Sequence, residues 1–329
     1  MRLTLATLLL LGIALGADQV DTSQAPITLT AASSKTLEIP GFSFSGNAQC
    51  DASGNLYFHT GFDPNDSIIL KLRTDGSSSI YRSAGTSAAA TYFWAFRVDP
   101  EGKLWLLEGG REEHEGVYLI VFGDDPNSPT RTKLDAREEL NVQNVQNFVV
   151  LQNGHILLHG YFDEKAPKKE RGRSYVAEFD PSGKLVRKSL NGKFSEGELK
   201  DIGSRVADAP AAQDDSGRIY LLGPDKVLVV SPNGQIERNI KFRLPEPSYR
   251  AYNLYVAGRR LVIGFYRPSE QKPQIIPRYA LFDTSSGKQL RLYQPSAELG
   301  GSMVCFSDEG FTFFRVEHGR VKLLMATTD

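Results

Sequence analysis

Apolar residues in this chain come in short runs, each led by a polar, glycine-bearing turn. The clearest case is Asp99-Pro100-Glu101-Gly102-Lys103 followed by Leu104-Trp105-Leu106-Leu107. Close copies are Asp51-Ala52-Ser53-Gly54-Asn55-Leu56-Tyr57-Phe58, Gln152-Asn153-Gly154-His155-Ile156-Leu157-Leu158 and Asp214-Asp215-Ser216-Gly217-Arg218-Ile219-Tyr220-Leu221. Weaker copies begin at Ala257-Gly258 and at Asp308-Glu309-Gly310. β-Branched and aromatic residues fill the runs, and Gly, Pro, Asn and Asp separate them, which is the pattern of strands joined by tight turns. In the second copy the predicted strands are Tyr92–Val98, Lys103–Leu107, Val117–Phe122 and Thr130–Leu134. In the fourth they are Val206–Gln213, Arg218–Leu222, Lys226–Val230 and Ile236–Phe242. A second turn, such as Asp180-Pro181-Ser182-Gly183-Lys184, links the outer two strands of a unit.

The turn glycines Gly54, Gly102, Gly154, Gly217, Gly258 and Gly310 mark six units. A period of roughly 40 to 50 residues with four strands per unit predicts an all-β, six-bladed β-propeller with four-stranded blades. The sixth unit ends one strand short. The N-terminal stretch Thr36-Leu37-Glu38-Ile39-Pro40 is an unassigned strand that resembles Ile240–Pro245, the end of the fourth unit. Thr36–Pro40 is therefore predicted to pair with Val321–Ala326, so that the N-terminal strand completes the last blade. Closure of this kind removes the edges an open stack would expose.

The start of the chain has a different pattern. Arg2 precedes an apolar run from Leu3 to Leu15, and Ala14-Leu15-Gly16 has small residues where a leader would be cut. This predicts a secretory signal over residues 1–16, a polar N-terminal tail over 17–33 and one propeller domain over 34–329, in a secreted or periplasmic protein. The apolar run is shorter than the roughly 20 residues a membrane span needs, so no integral membrane domain is expected after cleavage. Net charge is −1, which lacks the basic excess of a nucleic-acid partner.

The motif Asp-x-x-Gly-x-Leu/Ile-Tyr/Trp resembles that of six-bladed propellers of the NHL-repeat and gluconolactonase-like (TolB-like) superfamily, over nearly the whole mature chain. The resemblance implies the fold. Gluconolactonase-like hydrolases hold a divalent metal at the channel mouth with a Glu early in the first blade and Asn and Asp from later blades. Their Glu-Gly-Pro-x-Trp segment aligns near Ser45-Gly46-Asn47-Ala48-Gln49, where Glu, Pro and Trp are absent. Asn47 and Asn147 remain as polar residues able to reach the channel. A shared fold does not fix an activity.

With strands a to d numbered from channel to rim, the Asp-x-x-Gly turns all lie on one face, and the long b–c and d–a links lie on the other. Binding residues concentrate on long loops over a rigid scaffold. That face carries Glu108-Gly109-Gly110-Arg111-Glu112-Glu113-His114, the basic loop Lys165–Arg173, and the near-copies His59-Thr60-Gly61-Phe62-Asp63 and His159-Gly160-Tyr161-Phe162-Asp163. The plain reading is solvated loops and repeat-encoded packing histidines. The functional reading makes His59, Glu108, Arg111, His159, Tyr161, Tyr266 and Arg315 a ligand-binding set at the channel mouth. Imidazoles and a carboxylate suit a divalent cation or a proton transfer, paired arginines suit a carboxylate, and the aromatic rings suit sugars. No nucleophile elbow, phosphate loop or His-Glu-x-x-His motif is present.

Cys50 and Cys305 are the two cysteines. Aligned on the turn glycines they fall on opposite faces of their strands; aligned on Asp51 and Asp308 they fall on the same face. Two buried thiols are expected, with a bridge between first and last blades as the alternative. The sequence thus points to an exported non-enzymatic module that binds a small molecule, glycan or protein. The alternative is a metal-assisted hydrolase or lyase with its site at the channel mouth.

Overall fold

The computed structural model describes residues 25–37, 44–60, 68–82, 91–99, 101–110, 116–123, 125–135, 147–151, 153–161, 168, 174–188, 211–223, 225–233, 235–267, 277–300, 302–317 and 320–328. Two N-terminal strands come first, β1 (Ile27–Leu29) and β2 (Ser33–Leu37). The first blade is β3 (Phe44–Cys50), β4 (Leu56–Thr60), β5 (Ile68–Leu72) and β6 (Ser78–Arg82). The second is β7 (Thr91–Val98), β8 (Leu104–Gly110), β9 (Val117–Phe122) and β10 (Thr130–Leu134). The third is β11 (Asn147–Val150), β12 (Ile156–Tyr161), β13 (Ser174–Phe179) and β14 (Leu185–Lys188). The fourth is β15 (Ala212–Gln213), β16 (Ile219–Leu222), β17 (Lys226–Val230) and β18 (Ile236–Lys241). The fifth is β19 (Arg250–Ala257), β20 (Arg260–Tyr266), β21 (Arg278–Asp283) and β22 (Gln289–Pro295), and the sixth begins with β23 (Ser302–Ser307), β24 (Gly310–Glu317) and β25 (Arg320–Ala326). Every blade is an antiparallel meander, and the six make a β-propeller.

Ring closure follows the predicted route with a shifted segment. β2 completes the sixth blade by pairing antiparallel with β25, Lys35 opposite Leu323 and Leu37 opposite Val321. The paired residues are Ser33–Leu37 rather than Thr36–Pro40, and 38–43 lie outside the described residues. The segment expected to be tail also contributes: β1 adds to the fifth blade as a fifth strand, parallel to β22. Its Leu29 is buried among Tyr279, Tyr293 and Leu299. One short segment therefore fastens two neighbouring blades.

The core lies between blades, in six clusters, one per junction. Successive residues of a strand serve opposite junctions. On β11, Phe148 and Val150 pack towards the second blade, while Val149 packs towards the fourth. On β17, Val227 and Val229 pack towards the fifth blade, and Leu228 and Val230 towards the third. Strands covered on both faces read as continuous apolar runs rather than alternating ones, as Ile219–Leu222 of β16 and Val227–Val230 of β17 do. Outermost strands are covered less and are mostly polar, as the exposed residues of β2 and β10 show.

The Asp-x-x-Gly motif works through two bonds. Asp51 Oδ1 accepts from the Asn55 amide at 3.0 Å and closes the turn, while Oδ2 accepts from Tyr57 Oη at 3.0 Å. Asp99 does the same with the Lys103 amide (2.7 Å) and Trp105 Nε1 (3.2 Å), and Asp214 with the Arg218 amide (3.0 Å) and Tyr220 Oη (2.9 Å). The aromatic donor at the sixth position after Asp carries its polar atom into the blade junction, where it needs an acceptor. The third blade loses both members together: Leu151 and Leu157 stand there and pack against the fourth blade. Its turn keeps the main-chain bonds, Leu151 N to His155 O and Gly154 N to Leu151 O.

Candidate functional site: the central cavity

The inner strands enclose a central cavity of about 1150 Å³. Small residues make room for it: Ala48, Ala95, Ala212 and Ser302 stand on its wall. The described wall also carries Gln49, Arg97, Gln213 and Asn253 as polar groups, and Tyr252 and Tyr255 as aromatic ones. It runs out to the Asp-x-x-Gly turns, including Asp99, Asp215 and Asp308, and to the junction between sixth and first blades.

Three wall residues share one strand position. Gln49 stands opposite Tyr57, Arg97 opposite Trp105 and Tyr255 opposite Val262. Each reaches across to the next blade and donates to a main-chain carbonyl there. Gln49 Nε2 reaches Phe96 O at 2.7 Å, Arg97 Nε reaches Phe148 O at 2.8 Å, and Tyr255 Oη reaches Met303 O at 2.6 Å. The accepting residues also share one position, opposite Leu106, Leu158 and Phe313. Gln49 Oε1 in addition accepts from the Val98 amide at 3.1 Å, so its amide group acts as an extra ladder rung between two inner strands. The third and fourth blades have Val149 and Ala212 at this position.

Burial sets the electrostatics of the wall. The Arg97 guanidinium is lowered to about 10 by desolvation, and it is still a cation at neutral pH. Burial raises the Tyr255 phenol well above its ordinary range, with Tyr252 adding to the effect. Tyr252 Oη lies 3.1 Å from Tyr279 Oη, and Tyr252 is itself raised by burial. Tyr252 is the extra residue of a β-bulge between Ala251 and Asn253. Bulges re-aim side chains next to binding sites.

The residues singled out from sequence take other places. His59 lies on β4 opposite Ile69, half-buried, with its imidazole pKa lowered by desolvation. Glu108 lies on β8 and is buried. Arg315 lies on β24, where Nη1 donates to Glu298 O at 3.0 Å. None of these three is on the described cavity wall. Tyr266 touches that wall through Tyr252, their rings edge to face at 5.5 Å. His159 and Tyr161 lie on β12, and Asn47 and Asn147 on inner strands. Arg111 falls outside the described residues, as does most of the basic loop 165–173. Gln49, Arg97, Tyr252 and Tyr255 were missed as site residues. The signal for Gln49 and Arg97 is that each stands two residues before a turn aspartate.

The lactonase-type metal site does not fit these residues. In the segment that aligns with the metal-binding Glu, Gln49 has both amide atoms bonded to the second blade. Among the described residues no three His, Cys, Asp or Glu side chains form a set that could hold a metal ion.

The expected pair of free thiols is replaced by a bond. Cys50 and Cys305 form a disulfide, with Cα atoms 5.6 Å apart, within the span such a bridge requires. Among the described residues no helix is long and apolar enough to cross a membrane.

No family profile matches the chain, and no curated protein matches it. Solved structures do. The WD40 domain of Pan2 from Neurospora crassa superposes with a TM-score of 0.50 at 10% identity, covering 92% of this chain and 98% of that one. A protein provisionally assigned as a gluconolactonase gives 0.49 at 14% identity, covering 91% and 98%. A protein of unknown function from Bacteroides caccae gives 0.47 at 13% identity, covering 80% and 85%. The likeness to the Pan2 domain is one of fold alone, and the strand order makes the chain a six-bladed β-propeller.

Proposed function

We propose that this protein is an exported, non-catalytic binding module whose ligand site is the central cavity. The observation that carries this reading is the cavity itself: about 1150 Å³, walled by rigid inner strands, with amide, guanidinium and phenol groups on its surface. Ligand sites are concave, largely pre-formed and furnished with few polar groups, and this one is somewhat larger than the usual size. The wall's hydrogen bonds run from side chain to main chain and hold blades together, which suits a fixed receptor surface.

Two independent features support export: the apolar leader-like run Leu3–Leu15 and the Cys50–Cys305 disulfide, a bond of oxidising compartments. The Asp-x-x-Gly-x-Leu/Ile-Tyr/Trp turns support a place in the NHL-repeat and gluconolactonase-like group.

A small-molecule library screened by thermal shift against the purified protein tests the function. Compounds that raise Tm are expected to lose affinity for Asn253→Ala and Tyr252→Ala variants, whose changes lie on the wall. Compounds that bind both variants as tightly as the wild type would move the site off the cavity. Export is tested separately, by fractionating cells that express the full chain.

A further inference from the structure

The bonds that cross the blade junctions beside the cavity leave a gap. Gln49, Arg97 and Tyr255 each donate to a carbonyl of the following inner strand, and Cys305 is bridged to the first blade. Val149 and Ala212 hold the same position on β11 and β15, and their side chains have no polar atom to offer. Ala212 packs against the cluster between the fourth and fifth blades, so it points into its junction as its equivalents do. Of the two junctions, the one behind Ala212 has the smaller side chain and the longer facing strand, eight residues in β19 against two in β15.

Register identifies what that gap leaves bare on β19. Leu254 stands opposite Ile263 as Phe96 stands opposite Leu106, so Leu254 O is the equivalent of Phe96 O. Val256 stands opposite Leu261 as Val98 stands opposite Leu104, so its N–H is the equivalent of the Val98 amide. Both residues are on the cavity wall, and among the described residues no side chain bonds to either group. The Leu254 side chain is buried between the blades, which leaves its main chain to the cavity.

Gln49 shows what such an edge accepts. Its one amide group donates to Phe96 O at 2.7 Å and accepts from the Val98 amide at 3.1 Å. A residue of an extended chain running parallel to the strand supplies the same pair, its N–H to the carbonyl and its C=O to the amide two residues on. Taking the cavity as the ligand site proposed above, the geometry points to a short extended peptide as its ligand, whose main chain pairs with Leu254 O and the Val256 amide of β19 in the space Ala212 leaves. Strand addition of this kind draws affinity from main-chain bonds and specificity from the surroundings of alternate side chains. Two wall residues supply those surroundings. Asn253 commits one amide hydrogen to Tyr255 Oη at 3.1 Å, and among the described residues its Oδ1 accepts no bond. The Tyr252 ring is held by Tyr279 Oη and by the edge of Tyr266. It lies so close to β20 that a Cβ on Gly264 would come within 3.1 Å of it. A ring fixed in this way gives an apolar ligand side chain a firm contact.

Thermal shift and isothermal titration of the protein test this with N-acetylated, C-amidated tetrapeptides of alanine, valine, phenylalanine, tyrosine, serine and asparagine. At least one is expected to bind. Replacing its amides one at a time by esters removes single N–H donors, and at one position this should weaken binding about three- to tenfold, the worth of one hydrogen bond. Ala212→Gln carries onto the fourth blade the amide that Gln49 carries on the first. It is expected to occupy the edge of β19 and to weaken peptide binding about tenfold or more, the worth of both bonds. Because Ala212→Gln adds bulk at a blade junction, the ester series in the wild type decides the matter if that variant does not fold. Ester analogues that all bind as tightly as the parent peptide would overturn the proposal, as would unchanged affinity in a folded Ala212→Gln variant. If other compounds bind the wall and no peptide does, the peptide assignment falls and the binding-module reading stands. If nothing binds the wall, both fall.

Discussion

Cys305 and Cys50 face each other because they occupy adjacent positions of one repeated strand register on neighbouring blades. Cys305, opposite Thr312, holds the position of Gln49, Arg97 and Tyr255, whose side chains all reach towards the following blade. Cys50, opposite Leu56, holds the next position, whose side chain turns back to the preceding blade. Since the first blade follows the sixth around the ring, the two sulfurs meet. The disulfide thus takes the place that a hydrogen bond fills at three other junctions.

The bridge spans 255 residues and closes almost the whole ring. Reducing it, or replacing both cysteines by serine, is expected to lower stability by about 2–5 kcal/mol. β2 still fastens the sixth blade, so the reduced protein should stay folded. Chemical denaturation with and without reductant measures the difference. Thiol titration of the denatured, unreduced protein should find no free thiol; two would remove the bridge.

Gly54 and Gly102 are equivalent turn glycines with positive φ, +77° and +83°, yet they should respond differently to alanine. At Gly54 an added Cβ meets Thr74 Cγ2 at an ordinary 3.5 Å, so the cost is that of the left-handed backbone alone, about 1–2 kcal/mol. At Gly102 it would sit 2.9 Å from Asp51 Oδ2 and 3.1 Å from Tyr57 Oη of the first blade. Disturbing that bond adds about 1–3 kcal/mol. Denaturation midpoints of Gly54→Ala, Gly102→Ala and Gly102→Ala in a Tyr57→Phe background should show the excess and its loss. Equal costs at the two glycines would argue against the close approach.

Tyr220 gives the protein an alkaline limit. Burial first, then the charge of Asp214, pushes its phenol up to about 12. A pKa raised on folding means the native state holds the proton more tightly. Its stabilisation is full below about pH 10, where the unfolded phenol titrates, and is lost as pH rises through about 12. Tm should therefore fall steeply across this window, with phenolate absorbance appearing together with unfolding. Tyr220→Phe should be less stable at pH 8 and show a shallower alkaline slope.

Removing β2 should open the ring at its outer seam. Leu37 is buried against the first blade's Leu56, Phe58 and Leu72, and the ladder to β25 covers an otherwise bare edge. Leu37→Ala should cost about 2–5 kcal/mol. Deleting residues up to Leu37 should cost more and promote association through the exposed edge of β25. Guanidinium melts and light scattering report the two effects. A truncated protein that melts like the full chain would contradict this closure.

Much of the architecture was written locally, and the sequence showed it. The predicted strands of the second unit match β7 to β10 within a few residues, because turns such as Asp99–Gly102 close within five residues of chain. The missing strand of the sixth blade and its N-terminal donor were legible for the same reason: a repeat fixes what each unit must contain. Tertiary structure alone decided how blades face one another. The cysteine parity could not be settled by counting from the glycines. The first blade's hairpin joins Cys50 to Leu56, whereas the sixth turns sharply from Ser307 to Gly310, and a bulge falls between Met303 and Cys305. One inserted residue reverses the side a strand residue faces. The same effect hid Tyr252, which a bulge on β19 makes the extra residue on the cavity wall. Histidines and charges in long links stood out as chemistry, but His59 and Arg315 sit on second strands, one layer from the channel. Gln49 and Arg97 carry no local mark of their role, because the acceptors that define them, Phe96 O and Phe148 O, belong to blades about fifty residues away.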